Sequence, residues 1–131
     1  MEEKVIILGA LIEARSAISE YVDLDIDSRV SYKLMKMLDA TEKDNQFYFD
    51  KLKSVIEKYG EHGEDGNVIF DERGNVKIRQ DSIAEAQHEI NEIASIKVSV
   101  PCRYLLSLDD LNGFKMSCRK MKMVEPFLKE E

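Results

Sequence analysis

Tryptophan is absent from this chain of 131 residues, and cysteine, proline and histidine occur only twice each. Two cysteines, Cys102 and Cys118, are too few for a disulfide scaffold and are expected as reduced thiols. The histidines, His62 and His88, have no second histidine at metal-binding spacing, and no glycine-rich loop precedes a helix as a phosphate-binding turn would. The sequence therefore predicts no cofactor, no catalytic residue and no enzymatic activity, although a site assembled from residues distant in sequence stays open.

Basic side chains are the scarcer kind of charge. The chain has 19 Lys and Arg against 26 Asp and Glu, which gives a formal net charge of −7. Binding to long nucleic acid needs a dense set of cations that neutralise phosphates, so this composition argues against it. Residues 97–131 reverse the balance with 7 basic and 5 acidic side chains, which leaves room for a local contact with an anion or an acidic protein.

Long apolar runs are also missing. The N-terminal run, residues 5–12, is bounded by Lys4 and Glu13 and is far shorter than the roughly 20 residues that a membrane helix needs. No basic leader or small-residue cleavage site accompanies it. We therefore expect a soluble protein that is not exported and has no membrane partner.

Hydrophobic periodicity predicts a mainly helical α+β fold in a single domain, residues 1–131. Apolar residues at spacings of three and four indicate helices, whereas strict alternation indicates strands. Asp27 or Ser28 is expected to cap the long helix by accepting a backbone hydrogen bond. In chain order the predicted elements are helix 4–21, a short strand or extended linker 22–26, a long helix 27–59, a hairpin flap 66–79, helix 82–95, and a strand with a short helix within 96–128.

The long helix predicted over residues 27–59 would measure about 45–50 Å, since each residue adds about 1.5 Å. Phe47, Phe49 and Val55 lie off its main apolar stripe. Apolar side chains grouped on a surface usually mark an interface. We therefore expect this helix to pair with a second copy, which gives a homodimer or a higher homo-oligomer.

Three aspartates, Asp23, Asp25 and Asp27, alternate with aliphatic residues just before this helix. The alternation resembles the first half of a calcium loop. The rest of that loop is missing, because Ser28 stands where the sharp turn needs glycine and Leu34 stands where a bidentate carboxylate should complete the shell. We interpret the aspartates as a solvated segment and a helix cap, and predict no bound metal.

The first turns of the long helix predict a binding face. Arg29, Lys33 and Lys36 follow one another at spacings of four and three, which places them on one side of a helix beside Tyr32. Cations next to an aromatic ring can hold an anionic, stackable ligand such as a nucleotide. The alternative is an ordinary solvated face whose cations pair with nearby aspartates.

A second candidate face lies in "KMSCRKMKM", residues 115–123, where Arg119 and Lys120 occur among three methionines without an acidic residue. Methionine lines adaptable partner-binding surfaces and also fills uneven cores. Arg119 and Lys120 are therefore candidate partner-binding residues. The alternative interpretation is that the methionines pack in the core and the cations simply face solvent.

Four patterns support a resemblance: a "YKL" helix start flanked by basic residues, a "KYGE" helix end, an "EINEI" helix followed by a strand, and a closing "EPFL". Over about residues 25–128 the chain resembles small proteins of uncharacterised function encoded by phages and prophages of Gram-positive bacteria. This resemblance implies a non-enzymatic accessory protein in the cytoplasm of an infected bacterium. It would be a host-defence antagonist that binds a defence protein or sequesters a nucleotide signal; the alternative is an accessory or chaperone of head or tail assembly.

Overall fold

The computed structural model describes residues 2–130. This part of the chain contains four α-helices and two β-strands. The predicted class, α+β and mainly helical with a long central helix, is confirmed. In chain order the elements are β1 (Glu3–Ile7), α1 (Leu8–Ser19), α2 (Ser28–Tyr59), α3 (Ile83–Ala94), β2 (Lys97–Pro101) and α4 (Cys118–Val124). Short 3₁₀ turns at Gln80–Ser82, Cys102–Tyr104, Asp109–Gly113 and Glu125–Phe127 connect or follow them.

The first helix is shorter than predicted, because residues 3–7 form a strand. β1 pairs antiparallel with β2, from Glu3 opposite Pro101 to Ile7 opposite Lys97. The prediction of helix over 4–21 was wrong at its start, since a short apolar run fits a buried helix and a strand equally well. α1 then begins at Leu8, whose N–H donates to the Ile96 carbonyl (2.7 Å).

The central helix α2 begins and ends as the sequence predicts. The Asp27 carboxylate accepts a hydrogen bond from the Arg29 N–H (2.8 Å), so the predicted capping role of Asp27 is confirmed. The helix contains 32 residues and is about 48 Å long at about 1.5 Å per residue. Val55 was predicted to be on its surface, but it is only 5 % exposed and packs in a small cluster with Tyr59 of the same helix and Ala86 of α3. The prediction that Val55 belongs to an exposed apolar patch is therefore wrong.

A larger core joins the N-terminal half of α2 to α1 and to the C-terminal segments. Phe127, at 1 % exposure, closes it from the end of the chain, and the Leu106 N–H donates to the Phe127 carbonyl (2.8 Å). None of the helices within residues 2–130 is long and apolar enough to cross a membrane. The buried members of this core are Leu8, Leu11, Ala14, Ala17, Ile18, Val30, Leu34, Met37, Val100, Leu105, Leu106, Leu111, Val124 and Phe127.

The flap between α2 and α3 begins earlier than the predicted 66–79. Single bridge pairs join Gly60 to Ile78, His62 to Val68 and Phe70 to Val76. Two tight turns interrupt the pairing, and each uses a glycine with positive φ, Gly66 (83°) and Gly74 (82°). The predicted turn ending at Gly74 therefore forms. Residues 22–24 form a turn and a bend and residues 25–26 have no regular structure, so the predicted short strand does not form.

Candidate functional site

Two aromatic rings and two cations meet beside the start of α2, and a third cation, Arg29, lies three residues before Tyr32 on the same side of this helix. We call this the basic–aromatic surface and define it as Arg29, Tyr32, Lys36, Arg103 and Tyr104. The Tyr32 and Tyr104 ring centroids are 6.5 Å apart at an interplanar angle of 37°. The Lys36 ammonium lies 5.5 Å from the Tyr32 centroid, and the Arg103 guanidinium lies 4.8 Å from the Tyr104 centroid. Both distances fall within the range of cation–π attraction.

Helix periodicity and the turn after β2 build this surface. Tyr32 and Lys36 are four residues apart, so they are neighbours on one side of α2. β2 ends at Pro101, and the 3₁₀ turn Cys102–Tyr104 follows at once. This turn packs against α2 and brings Tyr104 to Tyr32, over a separation of 72 residues. The surface is therefore a tertiary arrangement and not a local motif.

Solvent reaches most of this surface. The Arg29 side chain is 91 % exposed, and its Nε is 3.6 Å from the Asp27 carboxylate. The first turn of α2 contains no acidic residue, so the positive end of the helix dipole adds to the nearby cations. The hydrogen bond from the Arg29 N–H is the main cause that lowers the pKa of Asp27 below its ordinary value, with the Arg29 charge contributing. Arg29 and Arg103 are thus exposed to an incoming anion, whereas Lys36 is half-buried.

Lys33, predicted as part of the binding face, points elsewhere. Its ammonium donates to the Asp110 carboxylate at 2.8 Å, and the two side chains are only 26 % and 19 % exposed. The same carboxylate accepts from the Ser107 N–H (2.9 Å). Burial alone would raise the pKa of Asp110, but the hydrogen bonds from Lys33 and Ser107 and the Lys33 charge outweigh it and hold that pKa below 3.8. Lys33 therefore fastens α2 to the C-terminal part of the chain.

The second candidate face lies apart from the basic–aromatic surface. α4 packs against α1, and the Lys120 ammonium contacts the Glu20 carboxylate and lies 5.5 Å from the Tyr21 ring. Arg119 is exposed on the same short helix. The three methionines of this segment, Met116, Met121 and Met123, are partly buried against the main core. The methionines therefore pack as the alternative interpretation expects, and Arg119 faces solvent, whereas Lys120 is engaged within the fold.

Further aromatic and basic residues continue the basic–aromatic surface along α2. Lys43 is exposed one to two turns beyond Lys36, and the Lys51 ammonium lies 5.6 Å from the Phe47 ring. Phe49 does not join them, since two residues correspond to about 200° around a helix. Phe47 and Phe49 are both exposed, but they lie on opposite flanks of α2 and cannot form one apolar patch. Phe47 and Phe49 therefore cannot act together in pairing through this helix.

The hollows beside the basic–aromatic surface are lined by carboxylates. One open cleft of about 600 Å³ includes Glu2 and Glu3 along with Arg103 and Tyr104. A second, of about 510 Å³ next to Arg29, is lined by acidic residues of the 25–27 and 109–110 segments. Carboxylates repel a phosphate that would sit in either hollow. No group of three or more potential metal ligands occurs among residues 2–130.

Arg103 and Tyr104 are the residues that sequence reasoning missed. They stand in "PCRYLL", which follows the alternating strand pattern and was treated as its continuation. A basic residue beside an aromatic was the signal that selected Arg29, Tyr32 and Lys36, and the same signal is present here. Only the fold shows that the two segments touch.

Comparison of the chain with protein-family models, with curated proteins and with solved structures gave no match. Function must therefore follow from the chemistry of the chain's own surfaces.

Proposed function

We propose that this protein is a non-enzymatic binding protein that holds an acidic surface of a partner protein against its basic–aromatic surface. In the setting that the sequence resemblance implies, it acts in the bacterial cytoplasm as a phage-encoded antagonist that covers a host defence protein. The observation that carries the proposal is the meeting of Tyr32 with Tyr104, flanked by Arg29, Lys36 and Arg103. The chain as a whole carries a net charge of −7, so this concentration of cations is local.

The chemistry of these five residues suits a protein partner. Tyrosine and arginine are enriched among the residues that contribute most to protein–protein binding, because they combine a large contact area with directional hydrogen bonding. Their exposure at the side of a long helix supports contact with a broad, nearly flat surface. Aromatic rings supply apolar area at low conformational entropy, while the cations supply charge complementarity to Asp and Glu.

A sequestered nucleotide fits this surface less well than an acidic protein. A small ligand is usually buried over most of its area in an enclosed pocket. Here the neighbouring hollows are open and contain Glu2, Glu3, Asp27 and Asp110, which would repel the phosphates. An acidic protein surface does not need to enter these hollows, because it can contact the cations and rings beside them.

The net negative charge of the chain should make its binding to acidic surfaces selective. A strongly negative chain repels most acidic surfaces, and only one that matches the local cluster of cations gains enough attraction to bind. At 0.1 M ionic strength salt largely screens exposed charges that are more than about 10 Å apart, and this distance shortens as salt rises. We therefore expect binding to an acidic partner to weaken as salt rises.

The first experiment measures binding by fluorescence anisotropy with a short, labelled peptide rich in Asp, Glu and Leu. Cyclic dinucleotides and ADP-ribose are the competing probes. The test variant is Lys36→Glu with Arg103→Glu, and the matched control is Lys53→Glu with Lys122→Glu, two exposed lysines outside the surface. We expect the test variant to weaken peptide binding at least about tenfold, while the control stays within about twofold. Nucleotide binding that competes with the peptide would instead support sequestration of a signal.

The second experiment tests the cellular role. Bacterial strains that each carry one phage-defence system are transformed with the wild type or with either double variant. We expect the wild type and the control variant to restore plaque formation against one such system, and the test variant to fail. Restoration by all three proteins would contradict the proposed role of the surface. No restoration, together with reduced particle yield when the gene is removed from its phage, would favour the assembly alternative.

A further inference from the structure

The outer edge of β1 presents backbone groups that have no partner in the described chain. Register pairs Lys4 with Val100 and Ile6 with Val98, and the Cys102 N–H donates to the Glu2 carbonyl (3.2 Å). Even-numbered residues of β1 therefore direct their N–H and C=O groups toward β2. By alternation, Glu3, Val5 and Ile7 direct theirs to the opposite side. Within residues 2–130 no hydrogen bond from another segment reaches their N–H groups or the carbonyls of Glu3 and Val5. The Ile7 carbonyl, at the N-cap of α1, accepts the first hydrogen bond of that helix.

The side chains on this edge are unusually apolar for an exposed strand. Val5 is 62 % exposed and Ile7 is 48 % exposed, and both lie on the outer face of the sheet. Proteins commonly protect an open edge with outward charges, proline or a bulge. The lysine of this strand, Lys4, turns inward, where its ammonium donates to the Glu125 (3.3 Å) and Leu128 (3.1 Å) carbonyls. It therefore does not shield the edge.

The cleft near β1 does not follow its free edge. An open cleft of about 580 Å³ is lined by residues 2–5 together with Cys102, Leu105, Lys129 and Glu130, so it lies at the Glu2–Cys102 end of the sheet. A strand added to a sheet lies about 4.8 Å from its neighbour and forms hydrogen bonds with the outward N–H and C=O groups of that neighbour. The free edge and its apolar face together define a site for an extended segment.

We propose that this segment is β1 of a second copy of the chain, paired antiparallel about a two-fold axis at Val5. Val5 then faces the partner's Val5, and Glu3 faces the partner's Ile7. Each copy offers three N–H groups and, because the Ile7 carbonyl is used by α1, two C=O groups, so the pair can form four backbone hydrogen bonds and extend the sheet from two strands to four. This inference is independent of the proposed function, because neither Val5 nor Ile7 belongs to the basic–aromatic surface.

Self-complementarity is the reason for choosing a second copy over another extended segment. A two-fold interface needs one patch that matches itself. In this register two valines and two isoleucines form a continuous apolar centre across the new strand pair. Lys97 of β2 lies beside Ile7 on one side. In the proposed pair the partner's Glu3 lies beside Ile7 on the other side, and its charge is opposite to that of Lys97. No like charges face each other within the outward rows.

The test measures mass by sedimentation equilibrium and native mass spectrometry. We expect the wild type to dimerise in the micromolar range, and Val5→Lys or Val5→Glu alone to be monomeric, because like charges would meet at the axis. Mixing the Val5→Lys and Val5→Glu proteins should restore a dimer of one copy of each. Leu108→Lys is the matched control, since it adds the same charge at an exposed leucine away from β1 and should dimerise like the wild type.

A backbone variant separates pairing from side-chain effects. Val5→Pro removes the central outward N–H, which β1 does not use within the monomer, and an edge strand tolerates proline there. We expect it to raise the dimer dissociation constant at least about tenfold, with an unchanged circular dichroism spectrum. A wild type that stays monomeric at high micromolar concentration would overturn the proposal. A dimer that survives both Val5→Lys and Val5→Pro but is lost in Phe47→Lys or Phe49→Lys would overturn it in favour of pairing through α2.

Discussion

The ion pair between Lys33 and Asp110 should stabilise the fold measurably, although most ion pairs near a surface do not. Exposed pairs contribute about 0.2–1 kcal/mol, whereas hydrogen bonds to charged groups inside a protein contribute about 1.5–3 kcal/mol. The 2.8 Å contact and the side-chain exposures of 26 % and 19 % place this pair between those limits. We therefore expect a coupling energy of about 1–2 kcal/mol between the two side chains.

A double-mutant cycle measures this coupling. The variants are Lys33→Met, which keeps the apolar stem, and Asp110→Asn, which keeps an acceptor for the Ser107 N–H, together with the double variant. Urea denaturation at neutral pH gives the free energy of unfolding of each protein. The control cycle uses Arg29→Met and Asp27→Asn, an exposed pair whose closest atoms are 3.6 Å apart, for which we expect no measurable coupling. Equal coupling in the two cycles would refute the reasoning.

Acid should abolish the same coupling in a defined direction. The pKa of Asp110 in the folded protein lies below its ordinary value of 3.8, so the folded state binds the proton more weakly than the unfolded state does. The stabilisation is therefore fully present above pH 3.8 and is lost as the pH falls through the folded pKa. The difference in unfolding free energy between the wild type and Asp110→Asn should shrink over that range. A difference that grows in acid would contradict the assignment.

Three further substitutions test the packing. Phe127→Ala should lower the free energy of unfolding by about 3–5 kcal/mol in urea denaturation, because it opens a cavity at a side chain that is 1 % exposed. Thr41→Val should cost about 1–2 kcal/mol, since Arg15 loses the hydroxyl it donates to at 2.6 Å, while Thr41→Ser should cost clearly less. Gly9→Ala should cost about 1–3 kcal/mol, because its Cβ would lie 2.9 Å from that of Ala94. Adding Ala94→Gly should recover part of that loss; an unchanged or larger loss would mean that this contact is not the cause.

Helices that have a capping residue and a long stripe of apolar residues at helical spacing were predictable from the sequence. α2 starts where Asp27 accepts from the Arg29 N–H and ends within one residue of the predicted position, and α3 is likewise within one residue at each end. These elements depend on spacing within one segment, which the sequence displays directly. The turn at Gly74 belongs to the same class, because only a local backbone conformation with positive φ is required.

Contacts between distant segments were not predictable. β1 was taken for helix because five residues cannot separate a period of two from one of 3.6, and its strand character comes from β2. The partner of Lys33 is 77 residues away, so a cation that seemed available for a ligand is engaged within the fold. Val55 looked exposed for the same reason, since its cover comes from α3. Arg103 and Tyr104 joined the candidate site only once the turn after β2 was seen to pack on α2.

The pairing of β1 with β2 has a consequence for how the chain is made. Its partners are separated by about 90 residues, so at about 5–20 residues per second the ribosome needs roughly 5–20 s to produce β2 after β1. Throughout that interval both edges of β1 lack a strand, and Val5 and Ile7 have no sheet to support them. Nascent chains stalled before residue 97 should therefore aggregate or be degraded more readily than chains stalled after residue 101, once each has cleared the ribosome.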